Sequence, residues 1–371
     1  MTDDDKTCGS LDELLAAPPR VAEPLGAGPI VLYGAGNKGR DVLRLLREAG
    51  HDVVACIDRR GTGTLDGLPV LAPGDPEVAR LARGGSTAVV SIFNYAVDPL
   101  EIVEVLKGAG FGRVVEMLEL RQLLPVPDTF WCGTTADMTP PPAEVRWLES
   151  RLSDDLSRAV LRETVALRTT WNPRWLRGVV TDDQFFPAGV PIRRAGMRFV
   201  DGGAFDGDTL AFLDREGCTL AAVAAFEPDP INFAALRARV AGLPPCREVS
   251  LWPCGLGDRL GQVRFHAGGS TASKISDDGE TVVQVVALDE VLPGFAPTYV
   301  KLDIEGAEGA ALEGMAATLA AARPALAVCL YHKPDDLWVL PRLVDRLLPG
   351  CRFYLRAHRW SQFELLLYAI P

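Results

Sequence analysis

Twice along this chain an apolar run ends in a glycine-rich turn that opens a segment of helical period. The first is Pro29-Ile30-Val31-Leu32-Tyr33, then Gly34-Ala35-Gly36-Asn37-Lys38-Gly39, then Asp41-Val42-Leu43-Arg44-Leu45-Leu46-Arg47. The second is Phe199-Val200-Asp201-Gly202-Gly203-Ala204-Phe205-Asp206-Gly207-Asp208-Thr209. A strand that passes through glycines into a helix begins a βαβ unit, which implies a parallel sheet. The chain has 371 residues, enough for two such α/β domains with a core each.

The alternation sets the expected boundaries. Residues 1–27 are polar, then rich in Pro and Ala, and read as an extension. Residues 28–124 read as a small Rossmann-like domain, with strands at 29–33, 53–58 and 87–93 and a helix over 99–108. Residues 125–182 read as a connector followed by a linking helix. Prolines and little periodicity mark 125–143, whereas Leu148, Leu152, Leu156, Val160, Leu161 and Val165 recur at helical spacing and predict one helix over 144–169. From residue 183 to 371 the pattern predicts strands at 198–201, 221–227, 249–254, 299–303, 326–331, 352–356 and 364–370. Helices fit between most of them, for example over 229–240 and 307–321. An extra hairpin pairs 263–265 with 281–286. This is a doubly wound seven-stranded sheet closing on an antiparallel hairpin.

Composition removes several function classes. The formal net charge of −11 argues against nucleic acid as the main partner, because phosphate binding needs a basic patch. No run of eighteen or more apolar residues predicts a membrane span. The first residues, Met1-Thr2-Asp3-Asp4-Asp5, are acidic where a signal peptide would be basic and then apolar. Eight scattered cysteines without a Cys-x-x-Cys pair fit reduced thiols in a cytoplasmic protein, not a disulfide framework or a zinc site.

The second half carries the denser chemistry. In a doubly wound sheet, the turn after Asp201 lies at the carboxyl end of its strand, where ligands bind, and Gly202 and Gly203 let the backbone approach closely. It lacks the Gly-Lys-Ser/Thr of a phosphate loop. Its acids Asp201, Asp206 and Asp208 would repel a pyrophosphate but suit a cation. Phe226-Glu227-Pro228-Asp229 places an acid at the end of the next strand, where a carboxylate can accept two hydroxyl hydrogen bonds from a ribose. Asp229 fits a helix N-cap, and Asn232 serves either role. Gly255-Leu256-Gly257 leaves room for a flat ring. Val300-Lys301-Leu302-Asp303-Ile304-Glu305-Gly306-Ala307-Glu308 sets three acids at the end of what should be the central strand.

Four stretches together resemble the FkbM family of methyltransferases: Asp201-Gly202-Gly203-Ala204, Phe226-Glu227-Pro228-Asp229, Leu288-Asp289, and 301–308. Asp183-Gln184-Phe185-Phe186-Pro187 and Tyr331-His332-Lys333-Pro334 resemble further segments of one branch. The resemblance covers residues 183–371, about half the chain. It implies a class I methyltransferase-like fold, S-adenosylmethionine as cofactor, and methyl transfer, commonly to a hydroxyl of a sugar or natural-product scaffold. On this reading Asp201, Gly202, Gly203, Ala204, Phe205, Asp208, Thr209, Glu227, Pro228, Asp229, Asn232, Gly255, Leu256 and Asp303 hold the cofactor. N- or C-methylation is the alternative on the same architecture.

A hydroxyl acceptor benefits from a base that takes its proton, and His332, Asp303 and Lys301 are the candidates in that order. Lys333 and Arg356 read as solvated charges, and His358 and Trp360 as residues that could line the acceptor pocket. Residues 269–273 read as a mobile loop near the cofactor. Asp206, Asp208, Asp303 and Glu305 could meet a metal, but no His/Asp spacing demands one. In the first domain, Gly34-x-Gly36-x-x-Gly39 with Asp58 has the form of a dinucleotide fingerprint. The domain is similar to small Rossmann-like domains that precede transferases acting on nucleotide sugars. Three roles compete for it: a scaffold or acceptor-binding part, a nucleotide-sugar site, and a working NAD site. A homodimer fits the chain, though no residue argues for it.

Overall fold

The computed structural model describes residues 9–18, 20–94, 96–127, 129–242, 246–266, 274–275 and 281–371. The loop expected at 269–273 lies outside them. Two α/β layers are present. The N-terminal sheet contains β1 (Ile30–Tyr33), β2 (Val53–Ile57), β3 (Thr64–Leu65), β4 (Leu68–Leu71), β5 (Thr87–Val90) and β6 (Val114–Val115), in spatial order β3-β4-β2-β1-β5-β6. The central strands β1 and β5 are buried at every position, as continuous Val/Ile/Leu runs in a parallel sheet require. The sequence reading omitted β3, β4 and β6 and ran the third strand too far, to residue 93. The β3–β4 hairpin turns on Asp66-Gly67, both with positive φ (45° and 86°), the geometry an Asp-Gly pair favours.

The helix Asn37–Glu48 buries Val42, Leu43 and Leu46 against this sheet. It packs closely because Gly39 has no side chain: a Cβ there would stand 2.1 Å from the carbonyl oxygen of Gly34.

The C-terminal sheet has seven strands in the order β16-β17-β15-β14-β7-β8-β9. These are β7 (Met197–Gly202), β8 (Leu220–Phe226), β9 (Glu248–Trp252), β14 (Tyr299–Leu302), β15 (Ala325–Cys329), β16 (Arg352–Ala357) and β17 (Leu365–Ile370). A side sheet holds β10 (Gly255–Leu256), β11 (Gly261–His266), β12 (Lys274–Ile275) and β13 (Thr281–Val286). The last strand, β17, inserts antiparallel between β15 and β16 and is buried throughout. Strand order reverses between β7 and β14, so the ends of these two strands flank a crevice.

The expected single linking helix is two, Pro142–Arg151 and Asp155–Thr170. Leu152 leaves the first in extended geometry. Asp154 starts the second, its carboxylate accepting from Ser157 N at 2.8 Å. The second helix lies on β16. Leu355 N donates to Ser157 Oγ (2.9 Å), and Arg356 donates to Asp154 Oδ2 (2.6 Å) and Ser157 Oγ (2.8 Å). Arg356 is therefore a buried cross-link, 1 % exposed, and not a solvated charge. A buried guanidinium is tolerated only with such partners.

Among the described residues, no helix is long and apolar enough to cross a membrane, and the cysteines are unbridged.

Candidate functional site

A cavity of about 1500 Å³ opens at the carboxyl ends of β7, β8 and β14, between the two halves of the chain. One wall is the turn after β7. Gly203 has φ +80°, and a Cβ on it would lie 1.9 Å from the carbonyl oxygen of Asp303, so no larger residue fits. The turn then braces an acid of the next strand. Phe205 N donates to Glu227 Oε2 (2.9 Å) and Asp229 N donates to Glu227 Oε1 (2.8 Å). Each carboxylate oxygen keeps accepting capacity, and Glu227 lines the cavity. Burial raises its pKa against the pull of those two N–H groups. Asp229 caps the helix Pro230–Val240, accepting from Ile231 N and Asn232 N at 2.8 and 3.1 Å.

Beneath the turn, Lys301 of β14 faces Asp201 of β7 in register. Lys301 Nζ lies 3.0 Å from Asp201 Oδ1 and donates to Gly203 O at 2.8 Å. Burial pushes the Asp201 carboxyl up to about 6, still ionised at neutral pH. Burial opposes the Lys301 charge, but Asp201, Asp303 and Asp208 outweigh it and hold the ammonium protonated. This pair fixes the floor of the site.

Acids crowd the end of β14. Asp303 Oδ1 accepts from the Tyr331 hydroxyl at 2.9 Å. Burial would raise the Asp303 pKa, but Lys301, His332 and this hydrogen bond lower it. His332 Nε2 lies 3.5 Å from Asp303 Oδ1 and 3.8 Å from Glu305 Oε2, and Nδ1 lies 2.9 Å from Glu308 Oε1. Burial disfavours the imidazolium, yet Glu308, Glu305 and Asp303 carry its pKa up to about 10. Glu364 also lines the cavity. Burial, then the Asp303 charge, raises its carboxyl to about 8, and Gln184 hydrogen-bonds to it.

Of the residues read from the sequence as cofactor-binding, Gly203, Phe205, Asp208, Thr209, Glu227, Pro228, Asn232, Gly255, Leu256 and Asp303 line this cavity. Asp201, Gly202, Ala204 and Asp229 lie behind its wall. The candidate bases His332, Asp303 and Lys301 all line it. His358 does not: it is buried against Tyr368 Oη (2.9 Å) and Thr181 Oγ1 (3.1 Å), and burial pushes its pKa down to about 4. Trp360 is also absent from the wall, which its neighbours Arg359 and Phe363 supply.

Sequence reasoning missed the connector. Val126, Pro127, Thr129, Phe130, Cys132 and Gly133 form part of the wall, and Trp131 N donates to Tyr331 O at 3.2 Å. The Phe130 ring stands 5.2 Å from Phe363 and 6.2 Å from His332 between ring centres. The first domain adds Asn37, Lys38 and Asp41, with Lys38 Nζ donating to Pro127 O at 2.6 Å. One signal is visible only in three dimensions: Phe130, Phe185 and Glu364, which the sequence did not mark, and Phe205 and Glu305, which it did, combine positive φ with a place on this wall. Such backbone costs about 1–3 kcal/mol each and concentrates at functional sites.

Comparison with known proteins agrees with this architecture. Residues 201–355 match the family model of the methyltransferase FkbM domain. Residues 201–355 therefore resemble the methyltransferase FkbM domain, a match that supports methyltransferase activity in general. Its fold resembles the crystal structure of a methyltransferase FkbM from Methylobacillus flagellatus KT, at 22 % identity and TM-score 0.77 over 99 % of this chain and 95 % of that one. A perosamine N-acetyltransferase from Caulobacter crescentus aligns at 26 % identity but a TM-score of 0.20, over 24 % of this chain and 42 % of that one. No curated protein matches the chain in sequence.

Proposed function

We propose that the chain is an S-adenosylmethionine-dependent O-methyltransferase acting on a hydroxyl of a sugar or natural-product scaffold. The observation that carries this is Glu227: a buried carboxylate beside a glycine turn, held by two main-chain N–H groups, with accepting capacity left toward the cavity. That is the acceptor a ribose diol needs for its two hydroxyl donors. The rest of the wall fits the same ligand. Asp208 suits the ammonium and sulfonium charges, and Leu256, Val283 and Val285 form an apolar slot for adenine. The FkbM domain supports the same choice.

When bound, S-adenosylmethionine supplies a methyl group on a sulfonium sulfur. A hydroxyl that took up this methyl would displace the neutral thioether and would have to release its proton. Asp303 takes it. Its side chain is 22 % exposed, whereas those of His332 and Lys301 are 2 % and 3 % exposed. Lys301 is also committed to Asp201 and Gly203. Phe130, Tyr331 and Phe363 offer apolar faces against which a ring can lie, holding the oxygen in line. The cavity exceeds the roughly 300–1,000 Å³ usual for one small ligand and leaves room for cofactor and acceptor together.

Calorimetric titration of the purified chain tests the reading. S-adenosylmethionine binds and NAD does not. NAD binding alone would move the chemistry to the turn at 34–39. With an acceptor in hand, Asp303→Asn lowers kcat by about 10²–10⁴-fold while cofactor affinity changes far less. An unchanged kcat would remove Asp303 from the role of base.

A further inference from the structure

Behind the wall, His332 belongs to a second arrangement that methyl transfer does not require. Glu308, His332 and Asp336 each bring one potential ligand atom within 4.8 Å of the others, and all three residues are buried (0 %, 8 % and 4 % exposed). They come from three places: the start of the helix Glu308–Glu313, the segment after β15, and the start of the helix Asp336–Leu347. Ion pairing with Glu308 accounts for the charge of His332 but leaves hydrogen-bonding capacity in the cluster unused.

Ile304 N donates to Glu308 Oε1 (2.8 Å) and Lys333 N to Asp336 Oδ2 (2.7 Å). Glu308 Oε2 is buried and no protein donor reaches it, and neither ring nitrogen of His332 makes a hydrogen bond of usable geometry. The 2.9 Å approach of His332 Nδ1 to Glu308 Oε1 is thus close in distance but wrong in direction for a hydrogen bond. Two ligands on adjacent positions around one ion, each about 2.1 Å from it, stand about 3 Å apart without pointing at each other.

We propose that Glu308, His332 and Asp336 form a binding site for one divalent first-row ion, of the Mn²⁺ or Zn²⁺ kind. An imidazole with two carboxylates suits these ions. Mg²⁺ and Ca²⁺ favour oxygen ligands throughout. Entry is by way of the cavity, which His332 also lines. An ion on the Nδ1 side leaves Nε2 directed at Asp303, 3.5 Å away. The ion then acts as a positioning group, fixing ring and tautomer as partners of metal-bound histidines do.

The test uses the full chain without a histidine tag, stripped with chelator and titrated by calorimetry with Mn²⁺ and, separately, Zn²⁺. The expected result is one ion per chain, a raised Tm, and at least about tenfold weaker binding in Glu308→Gln and in Asp336→Asn. X-ray absorption on the zinc-loaded wild type provides a second readout that does not depend on a buried variant folding: one imidazole and carboxylate oxygens around the ion. Saturation by neither ion would overturn the site, as would sulfur ligands or binding indifferent to both substitutions. None of these readouts involves methyl transfer, so the result stands apart from the proposed reaction.

Discussion

The two glycine turns are built alike and sit differently. In the first half, Asp58 follows β2, and its two oxygens accept from Ala35 N in the turn (2.9 Å) and from Arg60 N two residues on (3.0 Å). In the second half, Glu227 follows β8 and accepts from Phe205 N in the turn and Asp229 N two residues on. The local device is the same. Glu227, however, lines the cavity, and Asp58 does not. Among the described residues, the first half meets the cavity through the helix that follows its turn, at Asn37, Lys38 and Asp41, and through Phe93, Asn94 and Arg121. A fingerprint of glycines and an acid therefore specifies a braced βα turn. Whether the turn holds a ligand depends on where the rest of the chain leaves room.

The connector decides that room, and breaking it is the harshest test of the comparison. Trp131 is fully buried where the halves meet, 6.2 Å from Phe93 between ring centres, with the Arg168 guanidinium over its ring at 5.1 Å. Trp131→Ala should cost about 3–5 kcal/mol in urea unfolding. It should impair turnover more than cofactor affinity, since Glu227 is anchored elsewhere. A loss below about 1 kcal/mol would mean that the halves do not depend on this joint.

This joint is also where the sequence was least legible. Period and strand-end acids exposed the alternating α/β order and placed Glu227 and Asp303, because local geometry ties those positions to a strand end. Phe130 and Trp131 gave no signal. Their stretch is aperiodic, and their partners, Tyr331, His332 and Phe363, lie some 200 residues on. Arg356 looked solvated because its partners Asp154 and Ser157 come from a helix that only tertiary packing brings to β16. The same limit hid Glu364: an acid before a strand is ordinary until β17 is inserted beside β15 and turns it toward Asp303.

Acidity should act with opposite sign on one buried group from each half. His358 is buried in the second half with its pKa lowered to about 4, below the roughly 6.5 of an unfolded chain. The unfolded state therefore binds the proton first. This contribution is fully present above about pH 6.5 and disappears toward pH 4, at a cost of about 2–3 kcal/mol. Glu116, in the first half, behaves oppositely. Burial, then the Glu119 charge, raises it to about 8, so its contribution is present below about pH 4.3 and is lost as pH rises through 8. Urea unfolding of neutral variants isolates each group: His358→Gln should gain stability relative to wild type as pH falls from 6.5 to 4.5, and Glu116→Gln as pH rises from 5 to 8. A variant that tracks wild type across its window would contradict that assignment.

The sharpest comparison is also the smallest in energy. Glu227→Ala and Asp58→Ala each release two main-chain N–H groups from a turn, so both should loosen their turns to a similar degree. They should differ in cofactor binding. Losing a charged hydrogen-bonding group costs about 1.5–3 kcal/mol, which predicts S-adenosylmethionine binding weaker by about 10–150-fold in Glu227→Ala. Asp58→Ala should leave that affinity unchanged. Glu227→Gln, which keeps one accepting oxygen and the side-chain volume, should fall between wild type and Ala. If Asp58→Ala weakened the cofactor as much as Glu227→Ala, the effect would belong to turn stability transmitted through the fold, and Glu227 would lose its assignment to the ribose. If only Glu227→Ala did so, two turns with one hydrogen-bond pattern would differ in function by the placement of a cavity alone.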